Sequence, residues 1–343
     1  MSIGLKVLEP GLHTTVQDLG RFGHQHIGVP VSGALDGFSL RLANALVGNP
    51  QGMAALEILA SGPTMEVAAD CVRVALVGSG AALAIGTDPP RTIAAGQSLT
   101  LSRGEVVRVV ASRHSACCYL AVESGLAVPP VLGSASTYVR AAFGGFCGRA
   151  LRAGDVVPLT IDRASARTEL RLPVEVDPAP NRPIRVILGP QQEHFTAETV
   201  ATLLKAEFRI SQSADRMGLR LDGPPLRHRN GWDIVSDAIP TGAIQVPGSG
   251  QPILLLADHQ TTGGYPKIAT VISPDLPIVG RRGPGDTLRF AAVSVEEAEE
   301  ICREDHLRMT ALIASLEPAT DGGIDPQSLY DNNLISGVFN GLD

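Results

Sequence analysis

Short runs of Val, Leu and Ile, each closed within a few residues by Gly or Pro, set the tightest limit on what this chain can fold into. Runs this short suit strands, whereas an amphipathic helix needs ten or more residues of 3.6-residue periodicity. Strands are predicted at residues 72–77, 99–101, 106–111, 117–122, 184–188, 253–256, 268–272 and 287–291. Turn signals at Gly78-Ser79-Gly80, Asp88-Pro89-Pro90, Arg103-Gly104-Glu105 and Gly283-Pro284-Gly285 separate them. With 37 Gly and 25 Pro supplying such punctuation, the expected fold is mainly β, a barrel or sandwich rather than a parallel α/β sheet.

Helical periodicity is convincing in three places. Across residues 34–47, Leu35, Phe38, Leu42, Ala45 and Leu46 share one face, and Gly48 follows as a C-terminal cap. A weaker helix spans 196–208. From Ser294 a Ser-x-x-Glu capping box with Glu297 opens a run in which Ala298, Ile301, Cys302, Met309, Leu312 and Ile313 recur at helical spacing. These helices are expected to be peripheral.

The Pro-rich, polar segment 172–183 reads as a linker, placing one β-barrel domain at 1–178 and a second, with its terminal helix, at 179–315. Residues 316–343, and 320–343 above all, read as a loosely ordered tail. An internal echo fits two related barrels: Gly148-Arg149 through Gly154-Asp155 and Gly280-Arg281 through Gly285-Asp286 each follow a Gly-Gly loop and precede an apolar run.

Composition narrows the function. A net charge of −7 without a basic cluster speaks against nucleic acid and anionic membranes as partners. Five Cys without C-x-x-C or Cys/His ligand spacing suggest neither disulfides nor zinc, and His24-x-His26 alone seldom makes a metal site, so no metal is expected. With no apolar signal segment at the N-terminus, a soluble cytoplasmic protein is expected.

Three segments concentrate polar residues among glycines. Residues 11–48 suggest a tight loop presenting Gln17, Asp18, Arg21, Ser32 and Asp36 to a ligand; helix capping by Asp36 and a turn-closing pair of Asp18 with Arg21 explain them equally well. In Asp215-Arg216-Met217-Gly218 the Arg fork suits a carboxylate that the Asp orients, while a salt bridge at a β-turn is the plainer account. The third, Asp258-His259-Gln260-Thr261-Thr262-Gly263-Gly264-Tyr265-Pro266-Lys267 preceded by Gln245, is hardest to explain as scaffold. Its Gly-Gly amides, hydroxyls, Gln amides and one Lys, in a chain whose only other Lys are Lys6 and Lys205, suit the polarising of an amide or carboxylate. It is not a phosphate loop, since no G-x-x-x-x-G-K-[ST] is present, and no G-x-S-x-G elbow supports a serine hydrolase.

Taken together, T-T-V-Q-D-x-G-R-x-G, G-V-P-x-S-G-A-x-D, Ala55-Leu56-Glu57, Asp215-Arg216-Met217-Gly218, Ile244-Gln245-Val246-Pro247 and Gln260 through Lys267 resemble the allophanate hydrolase subunit 2, or biotin-dependent carboxyltransferase, family from about residue 5 to residue 290. Leu35 stands where that pattern has Met, a volume-conserving change. The resemblance implies tandem cyclophilin-like β-barrels and a site shared with a partner. It implies one component of an ATP-dependent 5-oxoprolinase opening 5-oxo-L-proline to glutamate, working with a homologous B-type barrel protein and a LamB/YcsF-type protein as its A-type component, which bind or share the ATP. The site residues it suggests are Lys267, Asp36 and Asp215 for chemistry, with Gln260, Thr261, Thr262, Gly263, Gly264, Tyr265, Arg216, Gln245, Arg21 and Asp18 for binding. The rivals are a carboxyltransferase module using carboxybiotin and a non-catalytic partner of a kinase inhibitor.

Overall fold

The computed structural model describes residues 3–86, 89–111, 115–173 and 182–319. The 174–181 part of the predicted linker and the 320–343 part of the predicted tail lie outside them. Strands and turns dominate the described chain, as the apolar runs imply.

Two antiparallel sheets build the first unit. One runs in the order Val156–Pro158, Gly4–Glu9, Thr64–Val67, Val106–Val110, Ala82–Ile85, Arg91–Ala94. The other runs His13–Gln17, Ala55–Leu59, Cys117–Val122, Cys71–Val77, Gln97–Ser102, Leu170–Arg171, Glu317–Pro318. Their facing sides share one core containing Leu5, Val7, Val16, Ile58, Met65, Leu76 and Leu120. Strand Cys117–Val122 is buried along its whole length because both its faces are covered. Cys118, Leu120 and Val122 enter that shared core, while Cys117, Tyr119 and Ala121 meet helix α1, Gly37–Leu46, on the other side. That is why the strand reads as an unbroken apolar run rather than an alternating one.

The second unit is one eight-stranded sheet: Thr287–Leu288, Phe208–Asp215, Gly218–Asp222, Ile253–Leu255, Ala243–Gln245, Lys267–Val271, Ile184–Leu188, Phe290–Ala292. Its two edge strands are separated in the chain by Arg289 alone, so the sheet must curl until its edges nearly meet, giving a nearly closed barrel around Val186, Phe208, Ile210, Leu221, Ile244 and Phe290. This corrects the single strand predicted at 287–291. The chain breaks at Arg289, and its halves pair with opposite edges, Phe208–Arg209 on one side and Ile184–Val186 on the other.

Helix α2, Ala197–Lys205, is capped by Thr196, and α3, Leu276–Gly280, follows a short turn at Ser273–Asp275. Helix α4, Val295–Ala314, carries the capping box read from Ser294 and Glu297. It returns to the first unit, where Met309, Leu312 and Ile313 pack with Phe38 and Leu42 of α1, and Glu317–Pro318 pairs with Leu170–Arg171. The helix assigned from sequence to the second domain therefore helps to complete the first, and the start of the predicted tail is a strand.

The two units are joined by buried polar contacts. Arg216, at the turn of one barrel hairpin, donates Nε to Asp258 Oδ2 at 2.8 Å, Nη1 to Glu57 and Nη2 to the carbonyl of Gly33 at 2.7 Å. Glu57 also accepts the Tyr119 hydroxyl at 2.6 Å. Burial alone would lower the Arg216 pKa, but Glu57 and Asp258 together raise it above the ordinary value. Beside this network Arg281 donates to Asp36 at 2.8 Å, and Gly280 packs so closely on Leu35 that any Cβ there would strike its carbonyl oxygen. Arg216→Met is expected to leave two carboxylates buried without a counter-charge and to lose about 3–5 kcal/mol of stability, read from the urea midpoint. A midpoint within ~0.5 kcal/mol of the parent's would mean the units do not depend on this contact.

Candidate functional site

The first Gly-rich segment turns inward. Residues His13–Gln17 form a sheet strand with Thr14, Thr15, Val16 and Gln17 all buried, because their neighbours Ala55–Leu59 hold the strand in register. Asp18 Oδ1 accepts from the Gly20 amide at 2.8 Å and the Ser134 hydroxyl at 2.6 Å, and Oδ2 accepts from the Ala135 amide at 2.7 Å. Arg21 is buried, donates to the Ser136 carbonyl and lies 4.9 Å over the Phe143 ring; burial lowers its pKa. Asp36 is fully buried, caps α1 through the amides of Phe38 and Ser39, and pairs with Arg281. Asp18 and Asp36 are thus engaged by framework groups, whereas among the described residues Arg21 meets only carbonyl oxygens and a ring, and its buried Nη1 has no hydrogen-bond partner there.

The fork of Arg216 likewise holds Asp258 and Glu57. Its neighbour Asp215 stays at the surface, where Oδ1 closes the hairpin turn by accepting from the amides of Met217 at 2.8 Å and Gly218 at 3.2 Å.

From that turn a groove of about 640 Å³ opens between the two units. Asp215, Met217, Arg220, Gln245, Gln260 and Tyr265 line the barrel side, and Arg140 from the turn Val139–Ala141 lines the other. Gln260 Nε2 reaches Gln245 Oε1 at 3.4 Å, linking two amides across the floor. Gln245 sits opposite Lys267 in the sheet, at a register shift. The structure thus brings together Asp215, Gln245, Gln260 and Tyr265, with Lys267 on the adjoining strand.

Lys267 is fully buried, yet its Nζ finds Asp237 Oδ2 at 3.0 Å. Asp237 is half exposed; hydrogen bonding from Lys267, followed by the Ala238 amide, holds its carboxyl below the usual range. Gln191 Nε2 donates to the same oxygen at 3.1 Å, and Gln191 Oε1 accepts the Lys267 amide at 3.1 Å. Residues 231–238 cross over the third segment as a strap: Asp237–Ala238 pairs with Thr262–Gly263, Ile234 N donates to Gly264 O, Ile239 N donates to Thr261 O, and Trp232 lies against Tyr265. Thr262, Gly263 and Gly264 therefore spend part of their backbone capacity on the strap. At Gly263 a Cβ would come within 2.7 Å of Gln245 Nε2 and of Ile239 Cδ1, so a side chain there would push one of these ends aside.

His259 is buried between Thr241 and the Gln260 carbonyl. A carbonyl only accepts, so Nδ1 carries the proton and Nε2 takes the Thr241 hydroxyl, a neutral ring that fixes the peptide at Gln260. Burial lowers its pKa, as it does that of His13, where Arg216 adds to the effect. Asp237, Gln191 and Arg140 carried no signal in the sequence, for they meet the third segment only through the fold.

A mainly β module whose barrel and sandwich units enclose a polar groove is the class this architecture defines. The chain matches the family described as carboxyltransferase domain, subdomain A and B, over residues 27–292, and belongs to it. It is 36% identical over 309 residues to the C subunit of Escherichia coli 5-oxoprolinase, covering 89% of this chain and 96% of that protein. It is 34% identical over 304 residues to the C subunit of Haemophilus influenzae 5-oxoprolinase, covering 88% and 96%. Its fold superposes on the crystal structure of Kluyveromyces lactis urea carboxylase with a TM-score of 0.81 at 29% identity, covering 91% of this chain and 29% of that one.

Asp36→Asn is expected to cost about 3 kcal/mol or more of stability by orphaning buried Arg281, a loss visible in thermal melts; an unchanged melt with abolished turnover would return Asp36 to the site. Acidification should weaken the fold in two stages. The lowered His13 and His259 give stability that is complete above about pH 6.5 and declines below it. Asp275 is pushed up by burial, but hydrogen bonds from Arg182 and then Arg185 outweigh this and hold it low. Its contribution is full above about pH 3.9 and lost as pH falls through the lowered value. Urea midpoints against pH would show both stages, and a midpoint flat from pH 7 to 5 would exclude the histidine stage.

Proposed function

We propose that this chain is one component of an ATP-dependent 5-oxoprolinase, acting with a homologous B-type barrel protein and a LamB/YcsF-type protein to open 5-oxo-L-proline to L-glutamate. The observation that carries the reading is the alignment with two bacterial 5-oxoprolinase C subunits across 96% of their lengths. The groove is in keeping with it. At about 640 Å³ it suits a small ring, and the Gln245 and Gln260 amides offer the paired donors and acceptors that a lactam N–H and C=O need. Lys267 and Thr262, on strands beside them, supply charge and a hydroxyl for a carboxylate or for the oxyanion of a carbonyl under attack, and Asp215 is the carboxylate that lines the groove and can handle a proton.

The Gly263-Gly264 loop leads into strand Lys267–Val271 rather than to the helix N-terminus that a phosphate cradle uses, and in this reading ATP is bound by, or shared with, the partner proteins. The decisive measurement is ATP-dependent glutamate release by the purified components, together and singly, with turnover expected only from the assembled complex. Lys267→Met should cut turnover by about 100-fold or more, as loss of a charge-stabilising donor does, with folding intact because half-exposed Asp237 can fall back on water. Normal turnover of that variant would remove Lys267 from the site.

A second reading, carboxyl transfer to an amide from biotin carried on another protein, is favoured by the superposition on urea carboxylase. It predicts avidin-sensitive turnover, which the 5-oxoprolinase reading excludes.

A further inference from the structure

We propose that Gln191 and Lys267 form a binding site for one ligand carboxylate, and that Asp237 fills this site as a built-in stand-in, clipping the strap 231–238 shut until a ligand displaces it. The inference rests on the reading of Lys267 as a carboxylate-gripping residue and adds Gln191, Asp237 and the strap to it.

Two donors, Lys267 Nζ at 3.0 Å and Gln191 Nε2 at 3.1 Å, converge on the single atom Asp237 Oδ2. Gln191 is itself held by the Lys267 amide, so the two donors keep a fixed separation whether or not Asp237 is present. Among the described hydrogen bonds of Lys267 Nζ, Asp237 is the one partner, and a buried ammonium needs an anion. That anion belongs to a segment with little else to hold it. Residues 231–238 are exposed apart from half-buried Ile234, and their hold on the barrel is a two-residue ladder, a few backbone bonds and the contacts of Trp232 with Gly248 and with Tyr265, 6.0 Å between ring centroids. Exchanging one carboxylate for another keeps the charge balance at Lys267 and gives Asp237 back to water, so the swap carries no desolvation penalty for the protein's own acid. The strap also touches the groove, since Gly263 beneath it abuts Gln245. Lifting the strap thus opens the site toward the groove floor. The ligand class is a small molecule with a free carboxylate; 5-oxoproline and glutamate both qualify.

Trp232, the single Trp of the chain, lies on the strap and reports its position. The full chain is titrated with 5-oxo-L-proline and, separately, with its carboxamide, while Trp emission is recorded. The carboxylate should shift the emission and the carboxamide should not. Asp237→Ala should show the shifted emission without ligand and bind 5-oxo-L-proline about tenfold more tightly, because no internal competitor has to leave. Lys267→Met and Gln191→Leu should each weaken or abolish the response, with circular dichroism confirming their fold. An Asp237→Ala emission like the parent's, a parent emission unmoved by the carboxylate, or equal responses to acid and amide would each overturn the proposal. Glutamate release by the assembled complex is scored separately: a responsive strap in a complex that releases none would sink the 5-oxoprolinase reading and leave the carboxylate site standing.

Discussion

One guanidinium ties the molecule together. Arg216 leaves a barrel hairpin and ends among Glu57, Asp258 and the Gly33 carbonyl, all buried, so its position fixes two sheets and the turn before α1 at once. A buried ion set of this kind contributes little net attraction compared with an apolar substitute, but it is unforgiving of misplacement, because each carboxylate left unpaired would be costly. Its weight is therefore in registration. The groove depends on that registration, since Arg140 comes from one unit and Gln245 and Gln260 from the other.

Barrel closure does the rest. With its edge strands one residue apart, the eight-stranded sheet cannot flatten, and strands distant in sequence are held side by side. Gln191, Asp237 and Lys267 come from three separate stretches and converge only because the barrel wraps them around one end. The register shift between Ile244 and Gln245 falls at the strand residue that faces Lys267, a place where irregular pairing re-aims a side chain.

What the sequence disclosed follows the range of the interactions. Strand 117–122 and the Ser294 capping box were legible because apolar runs and caps act between near neighbours. The break at Arg289 was not, since it depends on which edges the strand halves find. The groups that Asp18 and Arg21 meet, Ser134, Ser136 and Phe143, lie more than a hundred residues away and left no local mark. His13–Gln17 escaped notice as a strand because its buried Thr and Gln side chains hide the alternation that polarity would have shown. Lys267 stood out by its rarity, yet its companions Gln191 and Asp237 are ordinary residues in ordinary surroundings until the chain folds.

The return of α4 and Glu317–Pro318 to the first unit makes the barrel an insertion within that unit rather than a bead after it. A piece ending at residue 178 would keep most of both N-terminal sheets but lose Met309, Leu312 and Ile313 from the surface of α1, baring Phe38 and Leu42. The seven-stranded sheet thus ends on the strand Glu317–Pro318, and the two units form a nested pair that separates cleanly at no single cut.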